Sequence, residues 1–153
     1  MTSLKLDENE IGDEGAMQLA ASLRINAKLS SLQLNDNSIG DEGVTQLAQC
    51  LRVNTMLTSL ELTENGFGDK GVEQLMECLI DNHTLMFLDM MGNCISDVTK
   101  RALQKACENG ACCYDARCSG IAVARASIRI FGELGASSSP GARWLSFGNF
   151  PYG

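Results

Sequence analysis

One block of residues recurs along the chain at a fixed spacing, and this recurrence restricts the fold more than any composition figure. Leu32-Gln33-Leu34-Asn35-Asp36-Asn37-Ser38-Ile39-Gly40-Asp41-Glu42-Gly43 superposes, 28 residues earlier, on Leu4-Lys5-Leu6-Asp7-Glu8-Asn9-Glu10-Ile11-Gly12-Asp13-Glu14-Gly15. Shifted the other way, it meets Leu60, Leu62, Asn65, Phe67, Gly68, Asp69 and Gly71, and then Leu88, Met90, Asn93, Ile95 and Asp97. A single period of this length marks a stacked array, in which each unit buries its apolar face only against its neighbours.

Each unit has a strand half and a helix half. Leu4 and Leu6 alternate with Lys5 and Asp7, so a short strand turns its leucines inward. The Gly-Asp pair then supplies a turn, and Asp13, Asp41 and Asp69 are expected to cap the helices that begin at them, each cap stabilising by ~1 kcal/mol against Ala. Ala16, Leu19, Ala20 and Leu23 follow at i, i+3, i+4 and i+7, one apolar stripe on a helix. Asn26, Asn54 and Asn82, with Gly110 in the fourth copy, are residue types suited to a left-handed helix end. Leu29, Leu57 and Leu85 open the next strand.

The pattern L-x-x-L-x-L-x-x-N-x-I-G-D-E-G, followed by L-A-x-x-L-R-x-N, resembles leucine-rich repeats of the ribonuclease-inhibitor type. Leu29, Leu32, Leu34, Asn37 and Ile39 carry the signature positions. The resemblance covers residues 1–110, as repeats 1–28, 29–56, 57–84 and 85–110, and leaves 111–153 as a tail. It implies an α/β solenoid: a short right-handed arc with a parallel sheet on the concave side and helices on the convex side. It also implies that Asn9, Asn37, Asn65 and Asn93 bond to backbone between turns, which agrees with an amide's ability to donate and accept. Similar arrays occur in NOD-like receptors, in cytoskeletal or ciliary scaffolds and in the Ran GTPase-activating protein.

Recognition is expected on the outward strand and post-strand positions, where the copies differ. These are Lys5 and Asp7, with Glu8 beside them; Gln33, Asn35 and Asp36; Glu61, Thr63 and Glu64; and Phe87, Asp89 and Met91. Rows about 5 Å apart would form a ladder of carboxylates and amides ending in an exposed Phe-Met pair. Such a face suits a protein partner with a basic surface.

The charge supports that expectation. Residues 1–110 hold eight Lys and Arg against seventeen Asp and Glu, which argues against binding a phosphate backbone. There is no apolar run of membrane-spanning length and no basic leader with an apolar core, so the expected compartment is the cytoplasm. Seven cysteines are an odd number, and Cys50 and Cys78 share one repeat position with Ser22 and Ala106, the pattern of small reduced core residues.

Three motifs point to chemistry and are outweighed by the repeat frame. Gly66-Phe67-Gly68-Asp69-Lys70-Gly71 spells G-x-G-x-x-G, yet its last two glycines are the turn glycines of every intact copy. Cys107, Cys112, Cys113 and Cys118 lack the paired spacing of a zinc site, and His83, the one histidine, belongs to a distant solvent-facing loop. Acid pairs such as Asp13-Glu14 recur as helix starts. No catalytic, cofactor-binding or metal-binding residue is therefore expected, and the function class is a non-enzymatic interaction module. A GTPase activator is the alternative, although Arg24 and Arg52 stand away from the strand-to-helix loops where a reactive arginine would be needed. Another is a truncated form of a larger receptor or scaffold.

The ends break the pattern. Met1 occupies the place of Leu29 and Leu57, so a leucine edge is expected to lie open at the first repeat. The fourth repeat replaces both turn glycines with Ser96 and Thr99. Residues 111–153 lose the period and hold six of the eight aromatic residues, Tyr114, Phe131, Trp144, Phe147, Phe150 and Tyr152. This tail is expected to be poorly ordered or to lie against the last repeat.

Overall fold

Leucines at alternate positions make each short strand one-sided, and the helix that follows returns the chain to begin the next strand alongside. The computed structural model describes residues 2–108 and 127–129. Strands β1 (Thr2–Lys5), β2 (Leu29–Gln33), β3 (Ser59–Glu61), β4 (Phe87–Asp89) and β5 (Ser127–Arg129) form one parallel sheet in sequence order. Between the first four lie α1 (Gly12–Leu23), α2 (Asp41–Leu51) and α3 (Asp69–Asp81), and α4 (Asp97–Glu108) follows β4. Strand order advances one way throughout, and right-handed crossovers place successive helices on the same side of such a sheet.

Register aligns equivalent residues of successive copies. Leu4, Leu32, Leu60, Leu88 and Ile128 stand opposite one another in turn, as do Lys5, Gln33, Glu61, Asp89 and Arg129. The core between sheet and helices is closed by Leu32, Leu34, Leu60, Leu62 and Leu88 from the strands, and by Val44, Leu47, Val72 and Leu75 from the helices. Phe67 replaces Ile39 at its repeat position and is fully buried as well. Burying each large side chain stabilises by ~1.5–3 kcal/mol. Of the expected tail, Ser127–Arg129 adds the fifth strand, and the rest lies outside the described residues.

The asparagines after each strand join the copies. Asn65 Oδ1 accepts the amides of Asn37 and Ile39, both at 3.0 Å, while its Nδ2 donates to Leu34 and Thr63 carbonyls. Asn37 does the same for Asn9, Ile11, Leu6 and Asn35. Asn93 accepts from Asn65 and donates to the Leu62 carbonyl.

The aspartates behave differently from the expectation. Asp13, Asp41 and Asp69 do not cap the helices of their own copies, which carry no side-chain cap bond at Ile11, Gly40 or Gly68. Each reaches forward to the next copy. Asp13 Oδ1 accepts the amides of Gly40 and Gly43 at 2.7 and 2.9 Å, and Asp41 Oδ1 those of Gly68 and Gly71 at 2.8 and 2.7 Å. The physical reason is position: as first helical residues, Asp41 and Asp69 point along the stack, where the next helix start offers unsatisfied N–H groups and a positive dipole end. The paired glycines make room, since a Cβ on Gly43 would come within 2.7 Å of Asp13 Oδ1.

The fourth copy solves the same problem with its own side chain. Asp69 Oδ1 accepts the Ser96 amide at 2.8 Å, and Ser96 Oγ accepts the Thr99 amide, so the helix start is capped locally. Hydrogen bonding from the Ser96 hydroxyl, and then from its amide, holds the Asp69 carboxyl below its ordinary pKa, with Thr99 and Lys100 adding less and desolvation opposing. The ionised form is therefore the one this contact favours.

A second expectation is also corrected. Asn26, Asn54 and Asn82 do not take left-handed backbone: the residues with positive φ are elsewhere, and Asn82 is extended at φ −85°. Asn54 Nδ2 donates to the Leu23 carbonyl at the end of α1, and Asn82 Nδ2 to Leu51 at the end of α2. Each then turns its own chain into the next strand, as Asn82 Oδ1 does by accepting the Thr84 and Leu85 amides. A side-chain amide satisfies the orphaned helix carbonyl of the preceding copy, so no left-handed residue is required.

Candidate interaction surface

The sheet face away from the helices carries the outward strand residues. Gln33 Nε2 donates to Glu61 Oε1 at 2.8 Å, and Asn35 Nδ2 donates to Glu61 Oε2 at 3.4 Å, so one carboxylate is shared between amides of the preceding copy. Asp7 Oδ1 accepts the Asn35 amide and Asn35 Oδ1 accepts the Thr63 amide, both engaged in holding the stack. Lys5 is exposed, whereas Gln33, Glu61 and Thr63 are half-buried.

The far end of the ladder departs from the expectation. Asp89 is 4% exposed, and its Oδ1 accepts the Met91 amide at 3.1 Å. Phe87 and Met91 are half-buried and do not form an exposed pair. At this end a fifth strand lies along β4, with Ser127 opposite Phe87 and Arg129 opposite Asp89 in register.

The open carboxylates sit just beyond the strands. Glu8, Asp36 and Glu64 are exposed and hold left-handed backbone, with φ of 59°, 50° and 53°. Their amides bond to the carbonyls of Asn35, Thr63 and Met91 in the next copy, which stacks the three residues in a row. Glu10 and Ser38, also left-handed and exposed, stand two residues further on. Sequence reasoning included Glu8, Asp36 and Glu64 but passed over Glu10 and the backbone conformation. The signal was Gly92, which occupies the same place in the fourth copy at φ 69°.

The glycine motif is accounted for by the stack. Gly68 and Gly71 spend their amides on Asp41 Oδ1, and Gly66 donates to the Ile39 carbonyl, so the groups that would cradle a phosphate are bonded within the protein. Among the described residues no three His, Cys, Asp or Glu side chains gather as a metal-binding group. The side chains of Cys107, Cys112, Cys113 and Cys118 lie outside the description. No described helix is long and apolar enough to cross a membrane.

Residues 1–20, 26–48, 53–76 and 81–98 match the family model described as Leucine Rich repeat. The chain belongs to the leucine-rich repeat family. Its architecture is accordingly an α/β leucine-rich-repeat solenoid, and such folds serve as interaction modules. Among solved structures 53 chains match, one of them Leiomodin-1 Actin-Binding Site 2. That likeness has a TM-score of 0.63 and 22% identity, and covers 71% of this chain and 64% of the other, so it speaks for the fold. No curated protein matches the sequence.

Within the leucine-rich repeats, Cys50 and Cys78 face the core and Cys94 faces solvent. Burial pushes the Cys78 thiol up to about 12, against a weaker opposing effect from Arg52. Burial also raises Cys50, which Arg24 partly offsets. Iodoacetamide at pH 8 is therefore expected to alkylate Cys94 as an open thiol, and Cys50 and Cys78 ~100-fold or more slowly until the array unfolds. Peptide mapping by mass spectrometry checks the order, and early labelling of Cys78 would contradict the packing.

Proposed function

We propose that the chain is a non-enzymatic protein-interaction module, with ribonuclease-inhibitor-type repeats over residues 1–110 and a separate tail over 111–153. The reading places its partner on the concave strand face and the acidic edge beside it. The observation that carries it is the exposed row of Glu8, Asp36 and Glu64, each fixed by a left-handed backbone in successive copies. Carboxylates held at fixed places by the stack need little reorganisation to meet Lys and Arg on a partner. Lys5, Gln33 and Glu61 would frame the contact, with Thr63 and Met91 on the flanks. We place the protein in the cytoplasm, consistent with its odd cysteine count.

The test compares the full chain with an Asp36→Lys/Glu64→Lys variant, both exposed positions whose side chains have no part in the stacking bonds. Capture from extract identifies a partner, and calorimetry then measures both chains against it. The variant is expected to bind about tenfold or more weakly, with the wild-type affinity falling as salt rises. Equal affinity of the two chains would move the contact off this face. Actin, which the Leiomodin-1 title names, is a first defined protein to include.

A further inference from the structure

One bonding set joins successive repeats, and among the described residues its receiving half has no giving half opposite it at the β1 end. Inside the stack an asparagine takes amides of the preceding repeat and gives Nδ2 to its carbonyl, as Asn37 does with Asn9, Ile11 and Leu6. The preceding repeat's aspartate takes the paired glycine amides, as Asp13 does with Gly40 and Gly43. In the first repeat, Asn9 makes, among the described residues, only the local bond from Nδ2 to the Asp7 carbonyl and the bond from its backbone amide to Asn37 Oδ1. Among the described residues no carboxylate bonds Gly12 or Gly15; their amides go instead to the Asn37 carbonyl at 2.8 Å and the Ile11 carbonyl at 3.2 Å.

The apolar layer is open at the same end. Leu4 is 38% exposed, whereas its counterparts Leu32, Leu60 and Leu88 are at 0%, 1% and 0%. A shallow, open cavity of about 410 Å³ is lined by Leu6, Ile11 and Leu19, with Asn9, Gln18 and Ser22 at its polar margin. The outer edge of β1 pairs with nothing among the described residues, since β1 is the first strand of the sheet.

Gly12 shows which group is missing. Gly40 and Gly68 are extended, at φ −93° and −115°, with the carboxylates of Asp13 and Asp41 against them. Gly12 instead turns to φ +60°, its amide bonds to the Asn37 carbonyl, and α1 starts at this glycine, one place earlier than α2 and α3 start in their repeats. A Cβ on Gly12 would meet nothing within 4 Å, whereas one on Gly40 would meet Asp13 oxygens at 3.1 and 3.3 Å. Gly15 has a reason of its own, because a Cβ there would strike Ile11. Gly12 is thus the informative position, relaxed where a carboxylate would hold it extended.

We propose that the β1 end is a docking face for one further leucine-rich repeat, its strand parallel to β1, its leucines filling the cavity and its aspartate bonding Gly12 and Gly15. The surface continues the repeat-to-repeat interface already described, and it asks for the group that each interior repeat receives. A second copy packed β1 end against β1 end would present the same receiving groups, and these do not bond one another.

The test joins a copy of residues 29–56 ahead of Met1 of the full chain and follows urea unfolding. In the parent, Asn9→Ala is expected to change the unfolding constant about threefold or less, because Asn9 is exposed and makes one local side-chain donor bond. In the extended chain the same substitution is expected to cost about a hundredfold or more, as is expected of Asn37→Ala, since its oxygen would then serve amides removed from water. Replacing the added copy's aspartate with Ala should remove much of the gained stability. An equally small Asn9→Ala effect in both chains overturns the proposal, as does an extended chain no more stable than the parent. So does a parent that sediments as a dimer dissolved by Leu4→Asp, which would name a second copy as the occupant.

Discussion

Asn65→Ala is expected to cost about 3–5 kcal/mol and to leave much of the chain unfolded at 37 °C. Asn65 is 9% exposed, and its side chain serves four backbone groups: the Asn37 and Ile39 amides and the Leu34 and Thr63 carbonyls. Truncation removes all four bonds at once and leaves buried donors without partners, each costing about 1–3 kcal/mol where water cannot enter. The position also lies mid-array, so both neighbouring interfaces lose support, and in a solenoid nearest-neighbour contacts supply most of the stability. Urea denaturation followed by circular dichroism reads the loss. A cost under about 1 kcal/mol would mean that water replaces the amide and that leucine packing alone holds the copies together.

Asn65 was also legible beforehand, because an asparagine at one fixed place after every strand has no local use. The leucine and helix stripes were legible for the same reason: period 2 and period 3.6 are written into neighbouring residues. What escaped was direction along the stack. Asp41 looks like an N-cap for its own helix, because local spacing places an oxygen beside a helix start, yet it serves Gly68 and Gly71, 27 and 30 residues away. Asn54 resembles a left-handed helix end and instead donates back to Leu23. Both choices depend on which repeat lies on which side, and no window within one repeat contains that information.

The candidate face was read less well than the core, for a related reason. Asp89 shares its strand position with Lys5, Gln33 and Glu61, and equivalence predicts equal exposure. The array ends break equivalence, and β5 lies beside β4 while no described strand pairs with the outer edge of β1. Glu8, Asp36 and Glu64 were chosen for their charge, whereas their left-handed backbone was foretold only by Gly92 in the one divergent copy.

Asp41→Ala is expected to cost about 2–3 kcal/mol, more than loss of an ordinary N-cap, because one carboxylate oxygen satisfies two amides of the next helix. Gly68 and Gly71 approach so closely because neither carries a Cβ; one added to Gly71 would lie 2.9 Å from Asp41 Oδ1. No side chain on the third repeat can therefore swing in to replace the carboxylate without displacing the backbone. Asp69→Ala provides the internal comparison. It forfeits one amide bond fewer than Asp41→Ala does, and Ser96 Oγ continues to cap Thr99 beside an exposed carboxyl, so a clearly smaller cost is expected. The difference between the two variants, measured by urea unfolding, isolates the worth of a cap delivered from the neighbouring repeat. Equal costs at Asp41 and Asp69 would show that the paired glycines gain nothing from the carboxylate, and would shift their explanation to the close contacts with Ile39 and Phe67.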